Sequence, residues 1–127
     1  MEDLVVALAM CVPITSGPIP SPVAVVEAFT EAYNAHDVAK LRELVAADAR
    51  MGPMTDKEPN DGRAVLSRYE TVLFKRFPKV NTRVVERISA SDMVAQTESI
   101  TGVDGEMLVL SAYRVDRGCI VEMSYSQ

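Results

Sequence analysis

The sequence predicts an α+β domain, with helices first and an antiparallel sheet after them. In three segments between residues 22 and 77, apolar side chains recur every three or four residues, which is typical of amphipathic helices. From Asn81 onward the apolar period changes to two. Short, turn-rich breaks separate the later segments, which indicates strands that pair as a meander. Helices followed by strands are the α+β arrangement.

Each predicted helix has a polar residue that can cap its first turn. The first helix begins at Pro22, a residue suited to the first helical position, and ends at the polar corner 34–37. The second is predicted over residues 38–47 and the third over residues 62–77, where Pro78 stops it. Residues 51–60 read as a short strand and an irregular loop. The capping residues are Ser21, Asp37 and Asp61.

Four strands complete the prediction, and short breaks join each to the next. Because the breaks are rich in Gly, Asp and Ser, neighbouring strands are expected to pair antiparallel. The predicted strands cover residues 82–90, 93–102, 106–115 and 119–125.

Length and charge exclude several classes of protein. A chain of 127 residues can bury the core of one domain. Its formal net charge of −5 argues against nucleic-acid binding, which needs a basic surface that neutralises phosphates. With one His and two Cys, the chain has no metal-ligand cluster, and no cofactor is expected. Cys11 and Cys119 do not suggest a disulfide framework, and Cys119 reads as a small core residue.

The N-terminal segment, residues 1–21, permits two interpretations. It combines a short apolar run with a Pro-rich linker, and the run is either a leader or an extra helix. The protein is accordingly either exported, if residues 1–17 are a leader, or cytoplasmic. The run is too short to span a bilayer, so no membrane span is predicted.

The pattern from residue 22 to residue 127 resembles the nuclear transport factor 2-like superfamily. That superfamily includes ketosteroid isomerase, the SnoaL-like polyketide cyclases and limonene epoxide hydrolase. The resemblance implies a cone-shaped curved antiparallel sheet capped by three N-terminal helices around one deep pocket. The segments that carry it are the Ser21-Pro22 helix start, the corner Asn34-Ala35-His36-Asp37, the turn Asp104-Gly105 and the strand that follows Gly118.

The resemblance also sets which side chains face the pocket. It implies an apolar, aromatic pocket with several hydroxyl groups, suited to a small apolar oxygenated ligand. The residues expected to line it are Phe29, Tyr33, Met51, Met54, Leu66, Tyr69, Leu73, Thr97, Ser99, Val109, Ser111, Tyr113, Met123 and Tyr125.

The opposite sheet face is expected to form a homodimer, as is common in this superfamily. Aliphatic side chains there would be costly to leave in contact with water. The residues predicted for that face are Val94, Ile100, Leu108, Leu110 and Ile120.

The catalytic residues of ketosteroid isomerase have no counterpart at the matching positions. That enzyme uses a carboxylate base and an oxyanion hole made by a Tyr and a protonated carboxylic acid. The resemblance places these groups at Gly52, Phe29 and Ser111, so all three are absent. Asp56 or Asp61, in the following loop, could replace the base.

The catalytic residues of limonene epoxide hydrolase and of the SnoaL-like cyclases are also missing at the matching positions. Limonene epoxide hydrolase needs an Arg flanked by two Asp, whereas the matching strand reads Gln96-Thr97-Glu98-Ser99. SnoaL-like cyclases need a carboxylate or His inside the cavity. Glu98, Glu106 and Glu122 are predicted on the outer face, and His36 is predicted to be a solvated corner residue. The catalytic residue is therefore unknown.

Three hypotheses about function remain. The first is small-molecule binding in the apolar pocket, with no reaction assigned. The second is a SnoaL-like or isomerase-type enzyme that performs acid/base chemistry next to a carbonyl. The third is a dimeric association module. A loop Asp within hydrogen-bond reach of Tyr113 or Ser111 would place the enzyme ahead of the binder.

Overall fold

A computed structural model describes residues 10–126, in which the helices precede the last four strands and two further strands lie between the second and third helices. The helices are α1 (Pro22–Asn34), α2 (Val38–Leu44), α3 (Gly62–Arg68) and α4 (Phe74–Arg76), with a π-helical turn, Tyr69–Leu73, between the last two. The strands are β1 (Val45–Pro53), β2 (Asn60–Asp61), β3 (Asn81–Ala90), β4 (Met93–Val103), β5 (Gly105–Asp116) and β6 (Cys119–Tyr125).

The three predicted helix caps are confirmed. The Ser21 hydroxyl accepts a hydrogen bond from the backbone N–H of Ala24 at 3.1 Å. Asp37 and Asp61 cap α2 and α3 in the same way through their carboxylates. Each cap satisfies a backbone donor that the first helical turn leaves without an intrahelical partner.

The sheet is curved, unclosed and mixed rather than wholly antiparallel. Its strand order is β2-β1-β6-β5-β4-β3, and the last four strands form the predicted antiparallel meander. β1, however, pairs in parallel with β6, with Val45 opposite Ile120. The long connection from β1 to β6 permits this parallel pairing, which a short turn would forbid. The same pairing explains why residues 45–47 are strand, where the sequence predicted helix.

A shift of strand register in the β4–β5 hairpin decides which β4 side chains face inward. Next to the turn, Val103 pairs with Gly105, but the register shifts by one residue before Ile100 pairs with Met107. Gly102 lies in this shift with φ +80°, and a Cβ there would collide with the backbone of Lys79. Because side chains alternate along a strand, a shift of one residue moves the whole inward set of β4 to the other phase.

The two cysteines form a disulfide, which corrects the prediction that they make no disulfide framework, while Cys119 is buried in the core as predicted. Cys11 makes an isolated parallel bridge with Ala46, and its N–H donates to the Val45 carbonyl at 2.9 Å. This pairing brings Cys11 beside the start of β6, with a Cα–Cα distance of 5.8 Å to Cys119. The two cysteines are 108 positions apart in the sequence, which gave no sign of that proximity. The leader-or-helix question concerns residues 1–9, which lie outside the described residues.

The segment after Cys11 also contacts the domain. The Ile14 N–H donates to the Arg117 carbonyl at 2.9 Å, and Met10 is buried in the core. The predicted Pro-rich linker therefore packs on the turn between β5 and β6 over part of its length. In the described part of the chain, no helix is long and apolar enough to cross a membrane.

Candidate functional site

A cavity of about 310 Å³ lies between α1, the π-helical turn and the inner face of β3 to β6. Its wall is mostly apolar, with hydroxyl groups and one carboxylate. Of the residues expected from the sequence, the following line it: Phe29, Tyr33, Tyr69, Val109, Ser111, Tyr113, Met123 and Tyr125.

Six of the expected lining residues lie elsewhere. Met51 and Leu66 are fully buried where α3 packs against β1, so they fill core instead of facing the cavity. Leu73 packs against the same core from the π-helical turn, and Met54 is 42% exposed in the loop after β1. Thr97 and Ser99 point to the other face of β4, because the register shift reverses the phase of that strand.

The structure adds cavity residues that the sequence reading missed. Glu98 and Ile100 enter through the reversed phase of β4, opposite Val109 and Met107. The glycines on both sides of the hairpin turn were the available signal, since glycine within a strand often marks a bulge. The full set of additions is Thr30, Thr82, Glu98, Ile100, Met107 and Ser126.

Glu98 is held in the cavity wall by three side-chain donors. The Ser111 hydroxyl donates to Oε1 at 2.7 Å, and the Gln96 amide donates to Oε2 at 2.6 Å. The Tyr113 hydroxyl donates to Oε2 at a longer 3.4 Å. Only 6% of Glu98 is exposed, so the carboxylate has exchanged most of its water for these donors. Its two oxygens can accept about four hydrogen bonds, which leaves room for one from a ligand.

Gln96 is oriented by a partner of its own. Its amide oxygen accepts a hydrogen bond from Nε of Arg87 on β3 at 3.0 Å, which turns the NH₂ group toward Glu98. Gln96 is 1% exposed and lies opposite Ser111 across the β4–β5 pair. The carboxylate position is thus fixed by residues of three neighbouring strands.

Three tyrosines of the cavity, Tyr33, Tyr69 and Tyr113, are held in their neutral form. Burial, followed by the negative charge of Glu98, raises the pKa of Tyr33 to about 12. Burial is also the main cause that raises the pKa values of Tyr69 and Tyr113 above the usual value for a phenol. Their hydroxyls therefore stay protonated near neutral pH and can donate hydrogen bonds.

Edge-to-face aromatic contacts fix the wall around these hydroxyls. Phe29 meets Tyr113 with ring centroids 5.8 Å apart, and Tyr33 meets Tyr69 at 5.7 Å and 85°. Tyr69 is the first residue of the π-helical turn. Such turns insert one extra residue into a helix and frequently occur at functional sites.

The loop acids and the single His lie away from the cavity. Asp61 caps α3, and the backbone N–H of Arg63 is the main cause that lowers the pKa of its carboxyl. Asp56 is exposed and does not line the cavity. His36 is half-buried, with its ring 4.2 Å from that of Phe74 and Nε2 2.9 Å from the Val80 carbonyl, so it braces the corner after α1. Within residues 10–126, no group of three His, Cys, Asp or Glu could hold a metal ion.

The chain belongs to the SnoaL-like domain family, whose model matches residues 26–123. Among solved structures, it is similar to wild-type IdmH, a putative polyketide cyclase from Streptomyces antibioticus. That match has 28% identity and a TM-score of 0.72, covering 84% of this chain and 91% of IdmH. A comparison with curated proteins finds no match.

Two further solved structures share the fold at lower identity. An uncharacterised cystatin-fold protein from Novosphingobium aromaticivorans matches at 18% identity and a TM-score of 0.76, over 85% of this chain and 99% of that one. An epoxide hydrolase of M. tuberculosis, similar to limonene epoxide hydrolase, matches at 15% identity and a TM-score of 0.67, over 83% of this chain and 80% of that one.

Proposed function

We propose that the protein is an enzyme that moves a proton next to a carbonyl group of a small apolar oxygenated ligand, with Glu98 as the acid/base group. The observation that carries this proposal is the carboxylate of Glu98 in the cavity wall, within hydrogen-bond distance of Ser111 and Tyr113. Such a carboxylate was the feature that the sequence reading required of an enzyme and did not find. The carboxylate comes from strand β4 and not from the loop, and it supports the enzyme over a binder without chemistry.

The character of the ligand is inferred from the cavity wall. Phe29, Val109, Met123 and the tyrosine rings offer apolar surface, while the hydroxyls can orient one or two oxygens. Glu98 is the charged side chain of the wall, so a ligand with its own carboxylate would meet repulsion there. A neutral ketone or phenol fits best.

The proposed step is enolisation. Glu98 takes a proton from the carbon next to the carbonyl, so the C–H bond breaks and its electron pair moves into the new C=C bond. The carbonyl π electrons pass to the oxygen, which gains negative charge. The neutral hydroxyl of Tyr33 or Tyr69 donates a hydrogen bond to that oxygen. Glu98 then returns the proton to the same carbon, and the carbonyl group re-forms.

The similarity to IdmH supports this proposal. Ring closure in a polyketide requires a carbon next to a carbonyl to lose a proton before it attacks a second carbonyl. A carboxylate in an apolar cavity is the group needed for that first loss.

The test is hydrogen–deuterium exchange at C1 of 2-tetralone, a neutral ketone with enolisable protons, followed by proton NMR in D₂O. We expect the protein to accelerate exchange and Glu98→Gln to lose the acceleration by a factor of at least about 10², the usual range for a general base. The matched control is Glu106→Gln on the outer face, where Glu106 accepts a hydrogen bond from Ser99. Unchanged exchange in Glu98→Gln would rule out this carboxylate as the base.

We also propose a homodimer through the outer sheet face. Ile88 on β3 is 72% exposed and Leu108 on β5 is 70% exposed, and both point away from the cavity. Three residues predicted for this face lie inside instead: Val94 and Ile120 are fully buried, and Ile100 lines the cavity. The remaining aliphatic surface is what a second copy would cover.

A further inference from the structure

Two threonine hydroxyls of the cavity wall have no hydrogen-bond partner among residues 10–126. They are Oγ1 of Thr30 on α1 and Oγ1 of Thr82 on β3, and both oxygens are buried. Thr82 as a whole is only 7% exposed. A buried hydroxyl without a partner leaves the cost of its desolvation uncompensated, so an unpaired group facing a cavity points to a ligand.

Thr30 departs from the usual behaviour of threonine in a helix. A helical threonine commonly donates to the carbonyl four residues earlier. Thr71 does so, with its hydroxyl 2.9 Å from the carbonyl oxygen of Ser67. Thr30 makes no such bond although it lies within α1 and lines the cavity, so its oxygen has no partner within the helix.

Asn34 brings the two threonines to one place. Its side-chain NH₂ donates to the Thr82 carbonyl at 2.9 Å, and its side-chain oxygen accepts from the Thr82 N–H at 2.8 Å. Thr30 lies one helical turn before Asn34 and therefore on the same face of α1. Both threonines therefore lie where α1 crosses β3.

This position lies some distance from the carboxylate. Thr82 is opposite Ile100, whereas Glu98 is opposite Val84, so the threonine is a diagonal neighbour of Glu98 in the β3–β4 pair. Diagonal neighbours of this kind have side chains about 7–8 Å apart. The charged residues adjoining the pair in sequence, Glu31 and Arg83, are exposed. The surroundings favour a neutral oxygen, not a charged group.

We propose that Thr30 and Thr82 form a second polar subsite of the cavity, which binds a neutral hydroxyl or carbonyl oxygen of the ligand. The ligand is then an elongated apolar molecule with two oxygen groups, one near Glu98 and one at the threonine pair. This inference rests on the proposed function only in taking the cavity as the ligand site. It does not depend on the reaction at Glu98.

The test compares the affinities of two probes, 2-tetralone and 6-hydroxy-2-tetralone, which differ by one hydroxyl at the far end of the bicyclic ring. We expect the two-oxygen probe to bind more tightly to the unaltered protein. The double variant Thr30→Val with Thr82→Val should lower that preference about tenfold, as the loss of neutral hydrogen bonds implies. Thr71→Val, which removes a hydroxyl with an internal partner, should leave the preference unchanged.

A second pair of variants separates the hydroxyls from their packing. Thr30→Ser with Thr82→Ser keeps both oxygens, so it should keep the preference even if the valine variant folds poorly. An equal preference in the serine variant, the valine variant and the unaltered protein would overturn the subsite. So would loss of the preference in the serine variant. If exchange at C1 depends on Glu98 but the threonine variants do not change the preference for the two-oxygen probe, the subsite alone is rejected. If the threonine variants lower that preference but exchange does not depend on Glu98, the proposed reaction alone is rejected.

Discussion

At the scale of single residues, the environment of Glu98 determines what the cavity can do. Its carboxylate lies among a serine, a glutamine and a tyrosine, in a wall otherwise built from aromatic and aliphatic side chains. The tyrosines beside it are kept neutral by burial and by its negative charge. One group can therefore accept a proton while its neighbours donate hydrogen bonds, which is the division of roles that acid/base catalysis requires.

The raised pKa of Tyr33 predicts a loss of stability at high pH. An unfolded tyrosine has a pKa of about 10, whereas the pKa of Tyr33 in the folded protein is about 12. The stabilising contribution is fully present below pH 10 and is lost as the pH rises through 12, because the unfolded chain releases its proton first. Urea unfolding at pH 9 and pH 11.5 measures this, and Tyr33→Phe should show a smaller drop. An equal drop in both proteins would contradict the assignment.

At the scale of elements, the β4–β5 hairpin shows which structural features the sequence predicts and which it does not. The strands, their order and their antiparallel pairing followed from the period of two and from the turn residues. The inward phase of β5 also agreed with the resemblance, since Val109, Ser111 and Tyr113 line the cavity. The sequence did not predict which β4 side chains face the cavity. One bulged residue at Gly102 reverses the inward and outward sets without changing the strand's pattern of residue types.

The sequence did not predict the disulfide, for a related physical reason. Two cysteines separated by 108 residues come together only through the pairing of β1 with β6, and that pairing is a non-local, parallel one. Local periodicity carries no information on which distant strands become neighbours. The same limit applies to the threonine pair, which depends on how α1 crosses β3.

The disulfide predicts a large difference in stability between the oxidised and reduced protein. Closing so long a loop restricts the unfolded chain, so loss of the bond should lower the free energy of unfolding by about 2–5 kcal/mol. Thermal unfolding with and without dithiothreitol measures it. The control is the double variant Cys11→Ala with Cys119→Ala, whose midpoint should not respond to the reductant. A midpoint of the unaltered protein that ignores dithiothreitol would show that the bond is absent.

At the scale of the whole molecule, the two faces of the sheet differ in character. The inner face and α1 enclose the cavity, while the outer face exposes Ile88, Leu108 and Leu110. A homodimer would cover these aliphatic side chains and leave the cavity of each copy intact.

Light scattering coupled to size exclusion tests the dimer. We expect a mass of twice the 13.9 kDa of one chain and a monomer for Leu108→Asp, because a buried unpaired carboxylate would oppose association. Val72→Asp is the matched control, since Val72 is 52% exposed on the π-helical turn and not on the sheet. A monomer mass for the unaltered protein across concentrations would contradict the proposed interface.

The central claim, that Glu98 faces a ligand inside the cavity, is tested most directly by a crystal structure with 2-naphthol, an aromatic mimic of the enol of 2-tetralone. The naphthol rings should lie between Phe29 and the tyrosines. The naphthol hydroxyl or the carbon beside it should lie within about 3.5 Å of the Glu98 carboxylate, as a near-attack geometry requires. A structure in which Thr97 and Ser99 face inward, with Glu98 on the outer face of the sheet, would contradict it.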